Sequence, residues 1–244
     1  MSKKVILIHG SARKKNTFKV LQDIEQILKG RGLETEILHL FDYDVKDCTG
    51  CEECVQQSGC SLTDDMPAIM QKLLDSDAIV FGSPVYMGGA TSKFKTFADR
   101  TNVWIHKTEL VGKPALFVAT TTATGRKEIR RFFHIYATGL ATRKGDFVAR
   151  TGKTMSAPVR EEELSRFLAL LQEDEANYRP AMDEIVMFTV QKMMVLNSSG
   201  SDRTYWEQKE WLDKPYYYPC AMHPGKRAFG KLMHKILSKA MRQA

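Results

Sequence analysis

Short apolar runs alternate with longer amphipathic segments over the first 150 residues of the chain. Five runs predict strands, at residues 5–8, 34–40, 78–81, 114–120 and 146–150. The first and third runs are continuously apolar, as strands buried on both faces of a parallel sheet are. Between the first two runs, Leu21, Ile24 and Leu28 recur at the spacing of one helix face. The pattern predicts an α/β domain.

The loop between the first strand and the first helix is rich in groups that bind anions. These groups are the hydroxyls of Ser11 and Thr17, the amide of Asn16, and the cations Arg13, Lys14 and Lys15. Because the first turn of a helix leaves backbone N–H groups unpaired and partially positive, such a loop can hold a phosphate. The alternative interpretation is a solvated basic loop that is capped by Asn16.

The glycines of this loop narrow the choice of ligand. A dinucleotide site needs G-x-G-x-x-G and a nucleoside-triphosphate site needs G-x-x-x-x-G-K-[ST], whereas the loop contains only Gly10. The loop therefore suits a ligand with a single terminal phosphate better than a dinucleotide or a nucleoside triphosphate. Residues 10–17 resemble the first loop of the NAD(P)H-dependent FMN reductases, which have the flavodoxin-like fold. The resemblance implies a doubly wound, five-stranded parallel sheet of order 2-1-3-4-5 that binds FMN.

Two further loops follow predicted strands at the edge where a flavin would bind. The loop after the third strand contains Ser83, Pro84, Val85, Tyr86, Met87 and Gly88. It resembles the isoalloxazine-binding loop of the same family, which places Tyr86 near the ring. In that family the loop after the fourth strand, here Thr120, Thr121, Thr122 and Gly125, lies against the other edge of the flavin. Without the resemblance, Tyr86 could cap the core and residues 120–125 could form an ordinary helix cap.

Four of the five cysteines are closely spaced, at Cys48, Cys51, Cys54 and Cys60. In a reducing compartment this spacing favours metal or redox chemistry over disulfides. It resembles the compact cysteine motif of iron-sulfur flavoproteins, which implies a [4Fe-4S] cluster. Two alternatives stay open. One is a structural zinc site, and the other is a metal-free cysteine loop followed by two aspartates, as in many FMN reductase relatives.

The resemblance covers the first 152 residues, and the remainder predicts a helical extension. We divide the chain into an FMN-binding domain at residues 1–152 and an extension at residues 153–244. Residues 158–178 and 180–196 predict two helices, and an aromatic segment follows them at residues 205–218. The last helix carries Phe229, Leu232, Met233, Ile236, Leu237 and Ala240 on one face and has no acidic residue between positions 226 and 242. We expect the extension to pack on the domain or on the partner subunit of a homodimer.

Composition and charge exclude several other classes of protein. No apolar run approaches the roughly 18 residues of a membrane span, and residues 5–8 are too short for a signal peptide core. The net charge is +7, but the basic residues are not interleaved with aromatics in a recognisable nucleic-acid-binding module. We therefore expect a cytoplasmic protein with neither a nucleic-acid nor a membrane partner.

The resemblance implies an NAD(P)H-dependent FMN oxidoreductase. A nicotinamide nucleotide would pass hydride to flavin N5, and electrons would continue to a small molecule or, through the cluster, to a ferredoxin-like partner. No protein acid or base is obligatory, because the flavin supplies the chemistry; Tyr86 is the one candidate for a direct role. The alternatives are an FMN electron carrier that never reacts with nicotinamide, and an interaction module that has lost the flavin.

Overall fold

Five parallel strands form the centre of the computed structural model, which describes residues 2–57 and 59–241. The strands are β1 (Lys4–His9), β2 (Glu34–His39), β3 (Ala78–Pro84), β4 (Pro114–Thr120) and β5 (Arg143–Arg150). They are hydrogen-bonded in the order β2-β1-β3-β4-β5, and each neighbouring pair is parallel. The predicted fold class and strand order are therefore confirmed.

The helices of the described residues cover both faces of this sheet and extend beyond it. They are α1 (Asn16–Gly30), α2 (Glu53–Gln56), α3 (Met66–Leu74), α4 (Ser92–Arg100), α5 (Val103–His106), α6 (Arg126–Gly139), α7 (Ser165–Gln172), α8 (Met182–Leu196), α9 (Ser201–Gln208) and α10 (Pro224–Met241). Alternate residues of β1 point to opposite faces: Val5 and Leu7 pack under α1 and α7, and Ile6 and Ile8 pack under α3, α4 and α6.

The prediction of one continuous helix at residues 158–178 is wrong. A short 3₁₀ helix, Glu161–Leu164, precedes α7, and a second one, Glu175–Asn177, follows it. The chain leaves α7 at Glu173, which is extended, and the Asp174 carboxylate then accepts a hydrogen bond from the backbone N–H of Ala176 at 2.8 Å. This local capping bond starts a new turn and ends the helix.

Helix α7 belongs to the layer that covers the sheet. Leu164, Phe167 and Leu171 are buried in the same cluster as β1, β3, β4 and α1. The flavodoxin-like core therefore includes residues on both sides of position 152. The division of the chain at that position stays a prediction.

The aromatic segment packs within the chain. Phe188 of α8 lies against Trp206, Tyr216 and Tyr217, all of them buried. The Gln191 side chain donates to the carbonyls of Ile105 at 2.7 Å and Gly139 at 2.8 Å, which joins α8 to α5 and α6. This second core attaches the extension beside α6.

Helix α10 contacts α8, yet three large residues of its apolar stripe are exposed. Phe229, Leu232 and Ile236 are 40%, 57% and 58% exposed. The contact is made at Gly230, where an added Cβ would lie 3.2 Å from Ile185 Cγ2. Met233 and Leu237 of the same face are half-buried, and the side chain of Ala240 lies outside the described residues, so the described part of the chain covers this face only in part. Among the described helices, none has the length and hydropathy that crossing a bilayer requires.

Candidate functional site

Three loops converge at the carboxyl ends of β1, β3 and β4. The Thr17 hydroxyl of the first loop lies 2.7 Å from the Thr120 hydroxyl of the third, and both side chains are buried. The Arg13 guanidinium donates to the Tyr86 hydroxyl of the second loop at 3.3 Å. In an open parallel sheet of this order, the crevice between β1 and β3 is the switch point at which ligands bind.

The start of α1 is suited to an anion. No side chain caps the helix, and its first turn contains no acidic residue. Asn16 is the first helical residue rather than the capping residue, so the interpretation of Asn16 as a cap is wrong. Ser11 is buried beside this turn, whereas Arg13, Lys15 and Asn16 are exposed. The helix dipole and these groups together favour a phosphate.

The second loop is shaped by its own polar groups. The Ser83 hydroxyl, fully buried, donates to the carbonyl of Pro84 at 2.9 Å and accepts from the backbone N–H of Thr91 at 3.0 Å. Tyr86 and Gly89 exchange two backbone hydrogen bonds of 3.0 Å, and between them Met87 and Gly88 adopt positive φ. Ser83 thus holds the turn, and Tyr86 and Met87 project from it.

The third loop fits closely against the second. A Cβ at Gly125, whose φ is +87°, would lie 2.5 Å from Val85 Cγ1, so only glycine fits there. The Thr121 hydroxyl donates to the Thr124 carbonyl at 2.7 Å and accepts from the Ala123 N–H at 3.3 Å. Thr122 is exposed. The structure therefore brings the predicted cofactor-binding loops together.

The sequence interpretation missed Thr91, which joins the first loop to the second. Its hydroxyl donates to the Gly10 carbonyl and accepts from the N–H of Phe94 at 3.3 Å, which caps α4. A threonine directly before a helical pattern is a typical capping signal and could have indicated this residue.

The cysteine loop is anchored by a buried ion pair. Asp64 and Arg100 are paired, with side chains 0% and 2% exposed, and Arg100 also donates to the Lys46 carbonyl at 2.9 Å. Asp64 accepts from the backbone N–H groups of Lys46 at 2.9 Å and Met66 at 3.0 Å. Burial raises the pKa of Asp64, but these hydrogen bonds outweigh it, so that the pKa lies below its usual range.

The four cysteines are neighbours without forming a closed site. Burial raises the pKa of Cys54, and so do the nearby Cys60, Cys48 and Cys51. Hydrogen bonds from the Glu53 backbone and Thr49 lower the pKa of the exposed Cys51. Within residues 2–57 and 59–241, no three cysteine, histidine or carboxylate side chains are placed to hold a metal ion. The donor set suits a cluster chemically, but its geometry here does not.

Residues 3–146 match the family model of the NADPH-dependent FMN reductases. The chain belongs to this family. The match includes the three loops and the cysteine loop, so the resemblance drawn from their residues is confirmed.

Several curated relatives of this FMN reductase family member are named iron-sulfur flavoproteins. An iron-sulfur flavoprotein of Archaeoglobus fulgidus is 40% identical over 100 residues, which are 41% of this chain and 49% of that protein. An iron-sulfur flavoprotein of Methanocaldococcus jannaschii is 36% identical over 99 residues, which are 40% of this chain and 51% of that protein. The matched region spans about half the length of these relatives.

Solved structures show the same fold at low sequence identity. RosB, crystallised with 8-demethyl-8-formylriboflavin-5'-phosphate, has a TM-score of 0.53 and 12% identity, covering 89% of this chain and 83% of its own. The NAD(P)H:quinone oxidoreductase from Methanothermobacter marburgensis has a TM-score of 0.50 and 17% identity, covering 70% of this chain and 97% of its own. These structural similarities support the flavodoxin-like fold of this chain.

A histidine pair lies beneath the first loop. His9 ends β1 and His39 ends β2, and their Nδ1 atoms are 2.7 Å apart, so one nitrogen donates and the other accepts. Burial first, and then the nearby His39 and Lys14, lower the pKa of His9 to about 4, and Asp42 offsets a small part of this shift. The pKa of His39 is also lowered by burial. The pair is therefore neutral near pH 7.

We expect this pair to make the fold sensitive to acid. Above pH 6.5 His9 is neutral in both the folded and the unfolded states, whereas between 6.5 and about 4 only the unfolded state binds its proton. The free energy of unfolding should fall through this window, by on the order of 2 to 3 kcal/mol at its lower end. Urea unfolding at several pH values should show a shallower decline for His9→Gln than for the natural chain. Parallel declines would contradict the assignment.

Proposed function

We propose that this chain is an FMN-dependent NAD(P)H oxidoreductase. The observation that carries the proposal is the convergence of the three loops at the switch point between β1 and β3, with contacts from Thr17 to Thr120 and from Arg13 to Tyr86. Membership of the NADPH-dependent FMN reductase family and the named flavoprotein relatives support it.

The first loop would hold the phosphate of FMN. Because a hydroxyl both donates and accepts, Thr17 can accept from Thr120 and still donate to a phosphate oxygen. Ser11, the uncapped start of α1 and the cations Arg13 and Lys15 supply the remaining attraction. The bonds within the loop, including that from Lys15 N–H to the Arg13 carbonyl at 2.8 Å, hold these groups in place before the ligand arrives.

The second and third loops would hold the flavin ring. Residues 84–88 and 120–125 meet at Gly125, where the two backbones approach closely. Tyr86 is 48% exposed and accepts a hydrogen bond from Arg13, which supports a role in covering the ring beside the phosphate loop. When bound, FMN supplies hydride acceptance at N5 and onward electron transfer. The chain positions the ring and the nicotinamide and needs no general acid or base of its own.

Reaction with a nicotinamide nucleotide distinguishes this enzyme from an electron carrier. We expect anaerobic mixing of the FMN-loaded protein with NADH or NADPH to bleach the oxidised flavin spectrum within catalytic times. Free FMN at the same concentration is the control. An oxidised spectrum that persists with both nucleotides would favour the alternative of an FMN electron carrier.

A [4Fe-4S] cluster is a second part of the proposal. Its support is the set of four thiols, three of which raise the pKa of the fourth, Cys54, after burial has done so, together with the iron-sulfur name of the relatives. Since the described residues do not bring three ligands together, cluster binding would require the loop to close, and we derive no step of the reaction through it.

Iron and acid-labile sulfide content tests the cluster. After anaerobic reconstitution, replacing any one of Cys48, Cys51, Cys54 or Cys60 by serine should lower both contents, because each change removes a protein ligand. Cys220→Ser lies outside the loop and is the matched control. Natural protein without stoichiometric iron and sulfide would leave the metal-free interpretation in place.

We infer a homodimer in the cytoplasm, with a nicotinamide nucleotide as one substrate and a small molecule or ferredoxin-like protein as the acceptor. The exposed stripe of α10 supports an additional contact in the assembly, because large apolar side chains at helical spacing are usually covered. We retain the division at residue 152 as the boundary between the family region and the extension.

A further inference from the structure

A cavity of about 400 Å³ lies between α8, α10 and the segment at residues 213–222. Its size falls within the range of small-molecule pockets, roughly 300 to 1,000 Å³. Of the described residues that line it, none belongs to the three flavin loops or the cysteine loop. The cavity is therefore separate from the proposed flavin site.

The cavity combines an apolar floor with a cationic rim. Ile185, Phe188 and Met222 form the floor and are 1%, 3% and 8% exposed. The rim carries Lys192, Lys214, Lys226, Arg227 and Lys231, and Asp213 is the one acid among the described lining residues. An apolar floor beneath concentrated positive charge favours a ligand that is apolar at one end and anionic at the other.

Among the rim cations of the described structure, Lys214 pairs with Glu210 at 3.6 Å, whereas Lys192 has less compensation. Lys192 Nζ donates to the Lys214 carbonyl at 3.3 Å and lies 5.9 Å from the centre of the Phe188 ring. Burial lowers the pKa of Lys192, and Asp213 counteracts this only in part. Burial and the neighbouring Lys192 also lower the pKa of His234, which lines the same cavity. An anion here would stabilise the charged forms of Lys192 and His234.

An orphaned polar atom points to the same kind of ligand. The Nδ1 atom of His234 is buried and has no hydrogen-bond partner within the described structure. A buried nitrogen without a partner costs free energy, because it has lost its hydrogen bonds to water. Because an imidazole N–H can donate to a carboxylate, a bound anion would provide the missing partner.

We propose that the cavity between α8 and α10 is a second binding site, for an organic anion with an apolar body and a carboxylate or phosphate head. The apolar body lies on Ile185, Phe188 and Met222, and the head lies among Lys192, Arg227 and Lys231. The described lining of the site shares no residue with the flavin loops, so the site takes an effector or cargo rather than the nicotinamide substrate.

The experiment is a calorimetric titration of the FMN-saturated full chain with octanoate. Octanol, which lacks the charge, and inorganic phosphate, which lacks the apolar body, are titrated under the same conditions. We expect octanoate to bind at least about tenfold more tightly than either compound, because only octanoate satisfies both parts of the cavity. Equal binding of octanol would overturn the charged half of the proposal, and equal binding of phosphate would reduce the site to an adventitious ion only.

Substitutions in the cavity lining test whether octanoate binds at this site. Lys192→Met with Arg227→Met should raise the Kd of octanoate by about tenfold or more, since each change removes a rim charge. Lys192→Arg with Arg227→Lys keeps both charges and should retain binding, which separates loss of charge from loss of fold. Lys235→Met, an exposed lysine of α10 outside the cavity lining, is the matched control and should change the Kd less than twofold. An unchanged Kd in the double methionine variant would overturn the proposal.

Discussion

Replacing Ser11 and Thr17 together by alanine should weaken FMN binding by about 3 to 6 kcal/mol, or roughly a hundredfold to ten-thousandfold in Kd. Each hydroxyl is expected to make one hydrogen bond to the charged phosphate, and such bonds contribute about 1.5 to 3 kcal/mol each. Both side chains are buried beside the start of α1, so the loss is not readily replaced by water. Titration of the apoprotein with FMN, followed by quenching of flavin fluorescence, measures the effect.

A matched control separates this effect from a general loss of packing. Thr142 has a buried hydroxyl that donates to the Ala137 carbonyl at 3.1 Å, at the opposite end of the sheet. Thr142→Ala should destabilise the fold to a similar degree and leave the affinity for FMN unchanged. If the Ser11→Ala, Thr17→Ala double variant bound FMN as tightly as the natural chain does, the first loop would not be part of the flavin site.

Replacing Arg100 by methionine should lower the free energy of unfolding by about 3 to 5 kcal/mol. The substitution leaves the Asp64 carboxylate buried without its cation, and breaking one side of a buried ion pair typically costs this much. It also removes the bond to the Lys46 carbonyl, which ties the cysteine loop to α4. Urea unfolding at pH 7 measures the change, and limited proteolysis should show cleavage in residues 43–62 before the rest of the chain.

Asp99, which precedes Arg100 in the sequence, provides the control for the Arg100→Met substitution. Asp99 on the same helix pairs with Lys95 on the surface, where such pairs contribute about 0.3 to 0.5 kcal/mol. Asp99→Asn should therefore be nearly neutral. A double variant, Asp64→Asn with Arg100→Met, should recover part of the lost stability, because it removes the stranded charge and keeps an oxygen that can accept from the backbone N–H groups. Equal stability of Arg100→Met and Asp99→Asn would contradict the anchoring role.

The sheet and its loops could be predicted from the sequence because they depend on the local pattern of apolar and polar residues. Continuous apolar runs identified the buried strands β1 and β3, and the polar residues after them identified the first two loops. The strand order came from the family resemblance, since periodicity alone does not specify which strands pair. The loop contacts, such as the one between Thr17 and Thr120, bring together residues that are 103 positions apart.

Other features depend on the assembled fold. His9 and His39 each end a strand, but only the parallel register of β1 and β2 places them opposite each other. The orientation of α10 also depends on contacts with residues that are distant in the sequence. Its apolar residues predicted a packed face, whereas the contact with α8 occurs at Gly230, the position at which the absence of a side chain allows close approach. The cavity beside that contact has no sequence signature either.

The affinity of the chain for FMN compared with riboflavin tests the central claim most directly. The two ligands share the ring and differ in the phosphate that the first loop is proposed to hold. Fluorescence titration should give a Kd for FMN at least about a hundredfold lower than for riboflavin, since two charge-assisted hydrogen bonds are worth about 3 kcal/mol or more. Equal affinities, or no binding of FMN, would contradict a phosphate-anchored flavin site at the ends of β1, β3 and β4.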